Sequence, residues 1–274
     1  MQATLSGDTT MDELQVGQYW EANAETWTRH VRAGYDVYRD ALNTPAFLAF
    51  LPPVQGLSGL DIGCGEGENT RQLARLGARM QAIDIAPTFI RHASASETAA
   101  PLGITYRHAS ATALPFPDAT FDFATAFMSM MDIAGPEVAL VQAYRVLKPG
   151  GFFQFSILHP CFVPPYRRNI RDDSGEVLAV EVGRYFQATD GAIESWHFSA
   201  APAAERAKVE PFQVPRFHRT LSQWVAMIVQ AGFTIEALGE PMASEETALA
   251  EPVVADTRVA PIFLHFRLRK PAKA

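Results

Sequence analysis

Between residues 57 and 158 two hydrophobic patterns alternate along the chain. Short apolar runs fall at about 57–62, 79–84, 104–107, 121–127 and 152–158, each of strand length. Between them, apolar positions recur every three or four residues, from Glu68 to Gly77, Thr88 to Ala99 and Pro136 to Leu147. Strand and helix in that alternation predict a doubly wound α/β domain with a parallel sheet. Ahead of it, residues 1–10 predict a loose tail, and from Met11 to about Leu51 a helical pattern carries Leu14, Tyr19, Trp20, Trp27, Val31 and Tyr35. Pro52-Pro53 ends that pattern, because proline lacks the amide donor and fixes φ.

Beyond residue 159 the alternation stops. Residues 184–189 and 192–198 flank Asp190-Gly191, a strong short-range hairpin signal, and six prolines between Pro160 and Pro215 argue against long helices. An antiparallel cap inserted at 160–215 is expected, its Phe162, Tyr166, Tyr185, Phe186, Trp196 and Phe198 lining an acceptor pocket or packing under the hairpin. Thr220-Leu-Ser-Gln223 has the form of a capping box before a helix that Gly232 stops. Strands are expected at Phe233–Leu238 and Ile262–Leu268, with a long acidic loop over Pro241–Ala260 between them. The division expected is an N-terminal helical lid (1–53), a ligand-binding core (54–159), an inserted cap (160–215) and the C-terminal part of the core (216–274).

Composition narrows the function. In 274 residues, 23 basic against 30 acidic side chains give a net charge of −7, which argues against a general nucleic-acid or anionic-membrane binder. Two cysteines, Cys64 and Cys161, indicate neither a disulfide framework nor a zinc site. No apolar run approaches the ~20 residues that span a bilayer, so a cytoplasmic location is the default expectation.

The chemistry concentrates at Gly59–Gly67, Gly-Leu-Asp-Ile-Gly-Cys-Gly-Glu-Gly, where the first strand meets the first core helix. Glycine here admits positive φ and lets backbone approach a ligand. A dinucleotide fingerprint spaces its glycines G-x-G-x-x-G around a pyrophosphate. Here the third glycine comes one residue early, and Asp61, Glu66 and Glu68 surround the turn. Those acids repel a pyrophosphate and suit a cationic ligand. Asp84, 21 residues after Gly63 and closing the second strand, is placed to accept hydrogen bonds from ribose hydroxyls. A positively charged nucleoside without phosphate is implied, and S-adenosyl-L-methionine fits that description.

Leu60-Asp61-Ile62-Gly63-Cys64-Gly65-Glu66-Gly67 resembles motif I of the class I S-adenosylmethionine-dependent methyltransferases. Leu114-Pro-Phe-Pro-Asp-Ala-Thr-Phe-Asp122 and Arg145-Val-Leu-Lys-Pro-Gly-Gly151 resemble further stretches of the small-molecule group called methyltransferase type 11. The resemblance implies a Rossmann-like sheet whose last strand lies antiparallel between two others. It also implies a cofactor site in which Gly63, Cys64, Gly65 and Gly67 pass close to the ligand and Asp61 lies near its ammonium. Asp84 would take the ribose, Ile85 would pack on the adenine, and the Phe127 backbone would meet the methionine end. Where the family often has Asp-Ala, this chain has Ser110-Ala111, so the adenine contact there loses its charge. N-terminal helices in related enzymes close over the ligands, which makes Tyr19 and Trp20 candidates to touch them.

Methyl transfer to a hydroxyl or amine also needs a proton acceptor. Among His30, His108, His159, His197 and His218, two stand out: His159 directly after the fifth strand, and His218 beside the capped helix. Asp132 follows the fourth strand and suits either a cationic acceptor or the next helix's N-cap. The expected partner is a small-molecule acceptor. Two other classes remain open: a nucleic-acid methyltransferase using Arg167, Arg168 and Arg171, and a protein that binds S-adenosylmethionine without transferring its methyl. No metal ligand set is indicated.

Overall fold

The computed structural model describes residues 11–272, so the tail expected at 1–10 lies outside the described residues. Helix α1 spans Glu13–Arg32, and Asp12 opens it with the reciprocal capping box it forms with Gln15. The helical stretch that follows is broken, not continuous. Gly34 at φ 77° turns the chain, a π-helical turn covers Arg39–Asn43, and α2 is only Thr44–Ala49. The core then runs β1 (Ser58–Ile62), α3 (Glu68–Arg75), β2 (Arg79–Asp84), α4 (Pro87–Ala99), β3 (Thr105–His108), β4 (Phe121–Phe127), α5 (Pro136–Val146) and β5 (Leu147–Leu158). After it come β6 (Tyr166–Arg171), β7 (Val177–Gly183), β8 (Ala192–Trp196), the single-turn α6 (Ala203–Arg206) and β9 (Phe212–Arg216). The chain closes with α7 (Leu221–Gln230), β10 (Thr234–Gly239), α8 (Glu245–Ala250) and β11 (Phe263–Arg269).

Seven strands form the central sheet in the order β10-β11-β5-β4-β1-β2-β3. Neighbours from β3 through β5 are parallel, and β11 lies antiparallel between β5 and β10. This is the Rossmann-like arrangement expected. Strand order reverses between β1 and β4, and ligands in such sheets bind outside the carboxyl ends at that crevice. Side-chain alternation explains how the sheet is buried on both faces. Leu60, Ile62, Ala124, Ala126, Phe153 and Phe155 share one buried cluster with Leu140 on α5 and Trp224 and Ile228 on α7. Met80, Phe123 and Phe152 join Leu73 of α3 in another. Of the polar residues between these positions, Asp61 accepts from Thr125 Oγ1 at 2.9 Å and Gln154 Nε2 donates to Phe47 O of α2 at 2.7 Å.

Two expectations outside the core are corrected. Asp190-Gly191 does form a tight turn, with both residues at positive φ and Ala192 N donating to Thr189 O at 2.7 Å, but residues 184–189 are not a strand. Instead β8 pairs antiparallel with the distant β9, and β6 pairs with β7, giving two small sheets. The turn between β6 and β7 is Asp172-Asp-Ser-Gly175, where the Asp172 carboxylate accepts from Ser174 N and Glu176 N. The second correction is at 241–260. Ser244 caps α8 by accepting from Thr247 N at 3.0 Å, and a 3-10 segment follows over Pro252–Arg258, so that stretch is not a plain loop.

Candidate active site

At the carboxyl ends of β1, β2, β4 and β5 lies a cavity of about 560 Å³, within the usual range for a small-ligand site. Its base is the glycine turn. Gly63, Gly65 and Gly67 adopt φ of 74°, 55° and 92°, which L residues with a Cβ adopt at a cost. A Cβ on Gly63 would sit 2.4 Å from the Ser129 Cβ, so this position also needs glycine for space. A Cβ on Gly65 would meet no protein atom within 4 Å. The turn is anchored by Gly63 N and Cys64 N donating to Ile83 O, each at 2.9 Å.

Asp61, Asp84 and Glu66 bring carboxylates to this half. Asp61 is buried and accepts from Thr70 Oγ1 at 2.5 Å and Thr125 Oγ1 at 2.9 Å; burial raises its pKa. Asp84 accepts from Gly65 N at 2.8 Å and Ala86 N at 2.9 Å, and burial pushes its pKa up to about 6. A carboxylate has about four acceptor sites, so Asp84 keeps capacity for a ligand's hydroxyls. Glu66 is held by Arg32 at 3.2 Å and Arg39 at 3.7 Å. The thiol of Cys64 lines the wall, its pKa pushed up by burial. Ile85, Ala111 and Phe127 also line it, and Phe127 meets Phe47 edge-on at 5.2 Å. Open space over Gly65, acids beneath and apolar walls fit S-adenosylmethionine.

Gly67, Ser110 and Tyr19 are placed otherwise. Gly67 lies behind the lining, where a Cβ would meet the Tyr106 hydroxyl oxygen at 2.8 Å. The Ser110 hydroxyl is engaged by Glu13 of α1, whose carboxylate also accepts from Thr112 Oγ1. Glu13 lines the cavity, so a carboxylate reaches this corner from a segment nearly a hundred residues away. No local spacing signals it. On α1 the cavity face is Glu13, Val16, Trp20 and Trp27, which puts Trp20 on the wall and Tyr19 off it.

The opposite half is walled by the small sheets and by the loops after β4 and β5. Met131, Trp196, Phe198, Phe217 and Trp224 give it aromatic and sulfur surface. Asp132 sits on a 3-10 turn of this wall. It does not cap the next helix, since the N-cap of α5 is Gly135 and no side chain caps it, and burial raises the Asp132 pKa well above its ordinary value.

The histidines divide sharply. His159 is nearly buried with its Nε2 on Glu240 Oε1 at 2.8 Å and its Nδ1 accepting from Cys161 N at 3.1 Å. Leu158 and Pro160 line the cavity while His159, between them, does not, as alternation along an extended chain dictates. Neither ring nitrogen is left for an acceptor. This runs against the expectation drawn from its position at the strand end. His218 does line the cavity. Its Nε2–H donates to Tyr185 O at 2.8 Å, which fixes the tautomer and leaves Nδ1 bare, with no partner among the described residues. Burial lowers its pKa, so the ring stays neutral. Of the others, His197 also lines the cavity, His30 is buried in the aromatic cluster of α1 and β9, and His108 bonds Ile85 O at 3.0 Å.

Two of the three arginines of the basic cluster are neutralised, Arg167 by Asp256 and Arg168 by Glu181, while Arg171 donates to Gly175 O. Among the described residues no helix is long and apolar enough to cross a membrane.

A family model described as a methyltransferase domain matches residues 60–155. A ubiquinone biosynthesis O-methyltransferase from Cereibacter sphaeroides is 30% identical over 166 residues, covering 57% of this chain and 67% of that protein. One of the same description from Maricaulis maris is 34% identical over 139 residues, covering 49% of this chain and 54% of its own length. The chain thus spans between about half and two-thirds of these relatives. Among solved structures, an S-adenosylmethionine dependent methyltransferase from Mesorhizobium loti superposes with a TM-score of 0.65 at 26% identity, over 82% of this chain and 96% of that one.

Proposed function

From the premise that this chain belongs to the S-adenosylmethionine-dependent methyltransferases, with S-adenosyl-L-methionine as cofactor, we propose that it O-methylates a small aromatic or apolar molecule in the cytoplasm, with His218 as general base. The observation that carries this reading is a single cavity joining the glycine turn to an aromatic wall on which His218 presents a bare Nδ1. Quinone-pathway relatives act on small molecules, in agreement with it. The cofactor supplies a methyl already activated on a sulfonium. The chain's task is to hold the acceptor in line with that methyl, and orientation of this kind contributes about 7–11 kcal/mol in well-aligned systems. Asp61 and Asp84 would hold the ammonium and ribose ends, with Glu13 backing Ser110 and Thr112 at the adenine corner. Trp20 and Trp196 would close over the acceptor. As the acceptor oxygen takes the methyl and the methyl–sulfur bond breaks to leave a neutral thioether, the hydroxyl proton would pass to His218 Nδ1.

In this division α1 and α2 act as a lid and residues 160–215 as a cap. Asn23 joins them by donating to Gln213 O at 2.9 Å and accepting from Gln213 N at 3.2 Å. The test is product analysis by mass spectrometry with S-adenosylmethionine and a panel of phenols. His218→Ala is expected to lower kcat by about 10²–10⁴-fold with cofactor affinity unchanged, whereas His159→Ala should cost stability instead. Because burial lowers the His218 pKa, the acid limb of the wild-type profile should fall below the ordinary histidine value of about 6.5. Full turnover in His218→Ala would remove the base from the mechanism.

A further inference from the structure

Four arginines line the cavity among the described residues: Arg39, Arg167, Arg216 and Arg219. Three of them carry a carboxylate partner. Arg39 pairs with Asp40 at 2.7 Å, Arg167 with Asp256 at 3.2 Å and Arg216 with Glu194 at 3.2 Å. Arg219 has none within ion-pair distance among the described residues. Its Nη1 donates to Phe217 O at 3.2 Å and its Nη2 to Ala134 O at 2.9 Å, and the guanidinium lies over the Phe217 ring at 5.5 Å. A guanidinium has five N–H donors, so three remain without a protein acceptor among the described residues.

A largely buried cation held only by carbonyls is unusual, because desolvating a charge is costly unless an opposite charge compensates it. Burial does lower the Arg219 pKa, and the acids that counter this, Glu137 and Asp190, are exposed and screened by water. The surrounding charges leave this one uncancelled. Arg216 and Glu194 neutralise each other, as do Arg167 and Asp256, and burial favours the protonated form of Asp132. The acceptor half therefore carries the positive charge of one guanidinium without a carboxylate partner, on a wall that His218 also lines.

Resting on the methyltransferase reading above, the geometry points to Arg219 as the specificity-determining residue for an aromatic acceptor that carries a carboxylate, the carboxylate pairing with Arg219 while the hydroxyl to be methylated faces His218. A planar fork matched to a planar carboxylate gives a bidentate, charge-assisted pair. Such a bond contributes about 1.5–3 kcal/mol, or roughly 10–100-fold in affinity.

The probes are hydroxybenzoic and hydroxynaphthoic acids, each compared with its neutral primary amide, titrated by calorimetry into protein saturated with S-adenosylhomocysteine. The wild type should bind at least one acid at least ~10-fold more tightly than its amide. Arg219→Gln should reduce that ratio to about 2 or less, and Arg219→Lys, which keeps the charge without the fork, should fall between. S-adenosylhomocysteine affinity, measured first in every variant, should not change. A merely structural Arg219 would weaken acid and amide alike and leave the ratio intact. Equal binding of acid and amide by the wild type, absence of binding by every acid, or a ratio kept by Arg219→Gln would overturn the proposal. If Arg219→Gln does not fold, Arg219→Lys decides by the same ratio. Loss of S-adenosylhomocysteine binding by the wild type would instead strike the methyltransferase reading.

Discussion

The two halves of the cavity are built by different physics. The cofactor half is backbone: three glycines at positive φ within five residues, amides bonded to Ile83 O, and Asp84 accepting from the amide of Gly65. These parts lie within about 30 residues of chain, so their geometry is local, although Glu13 and Phe127 complete this half from elsewhere. The acceptor half is side chains. Trp20 comes from α1, Met131 from the loop after β4, Trp196 and Phe217 from the cap and its exit, and Trp224 from α7. It exists only after the long-range packing of α1 on β9, where Trp27 meets Phe198 and Phe212 at 4.9 Å each. A backbone site tolerates little change, whereas a side-chain wall can be re-lined residue by residue without altering the cofactor site.

The largest contrast should come from Gly65→Arg. The position at φ 55° penalises any Cβ, and the space it opens on is the ligand's, so cofactor binding by calorimetry should fall at least ~100-fold. Acceptor analogues should still bind the variant. If both ligands are lost together, the halves are not separable. Gly63→Ala should act differently, through the fold. A Cβ 2.4 Å from the Ser129 Cβ, added to φ 74°, predicts a loss of about 2–4 kcal/mol by chemical denaturation. A change under ~1 kcal/mol would show that the Ser129 loop yields easily.

The same contrast explains what was legible in the sequence. The strand and helix spans of the core lay close to the pattern because period and punctuation are local signals. So did the glycine turn and Asp84. The antiparallel place of β11 came from family resemblance, since its register against β5 is a long-range fact that no pattern in Ile262–Leu268 encodes. The Asp190-Gly191 turn was legible, yet its hairpin was not, because β8 found a partner in β9 some twenty residues on. Glu13 at the Ser110 corner and the carboxylate-free Arg219 were likewise invisible. His159 misled for a simple reason: the end of strand β5 was identified, but which face the side chain takes was not, and there alternation turns it toward Glu240.

A middle-sized effect should appear on the acceptor wall. Trp196 lines the cavity and packs edge-on against Trp27 at 5.4 Å. Trp196→Ala should raise acceptor KM by about 10-fold, as the loss of one aromatic contact of about 1–2 kcal/mol implies, while S-adenosylhomocysteine affinity stays within about twofold. On α1 the pair Trp20→Ala and Tyr19→Ala sharpens the point, because only Trp20 faces the cavity. An equal rise in KM for both would mean that α1 turns or shifts when ligand enters.

The smallest effect concerns two acids, Asp84 at the end of β2 and Asp36 in the connection after α1, each displaced by burial to a pKa of about 6 from an ordinary 3.8. Both line the cavity, but they should differ in what relieves them. Between pH 4 and 6 the folded state retains a proton on each that the unfolded chain has released, so stability declines as pH rises through that window. At Asp84 a ligand's hydroxyls favour the ionised form, and cofactor affinity should rise through pH 6 as that form appears. At Asp36 the countering groups are Arg39, which also donates its backbone N at 3.2 Å, against Asp40 nearby. Asp36→Asn keeps an oxygen for that amide and removes the ionisation. It should stabilise the ligand-free protein by about 1–2 kcal/mol at pH 7.5, a gain that shrinks toward zero near pH 4, with cofactor affinity unchanged. Chemical denaturation at the two pH values decides it. A gain of the same size at both would assign the effect to packing, and a loss at pH 7.5 would mean that the charge of Asp36 is needed to hold Arg39 against Glu66.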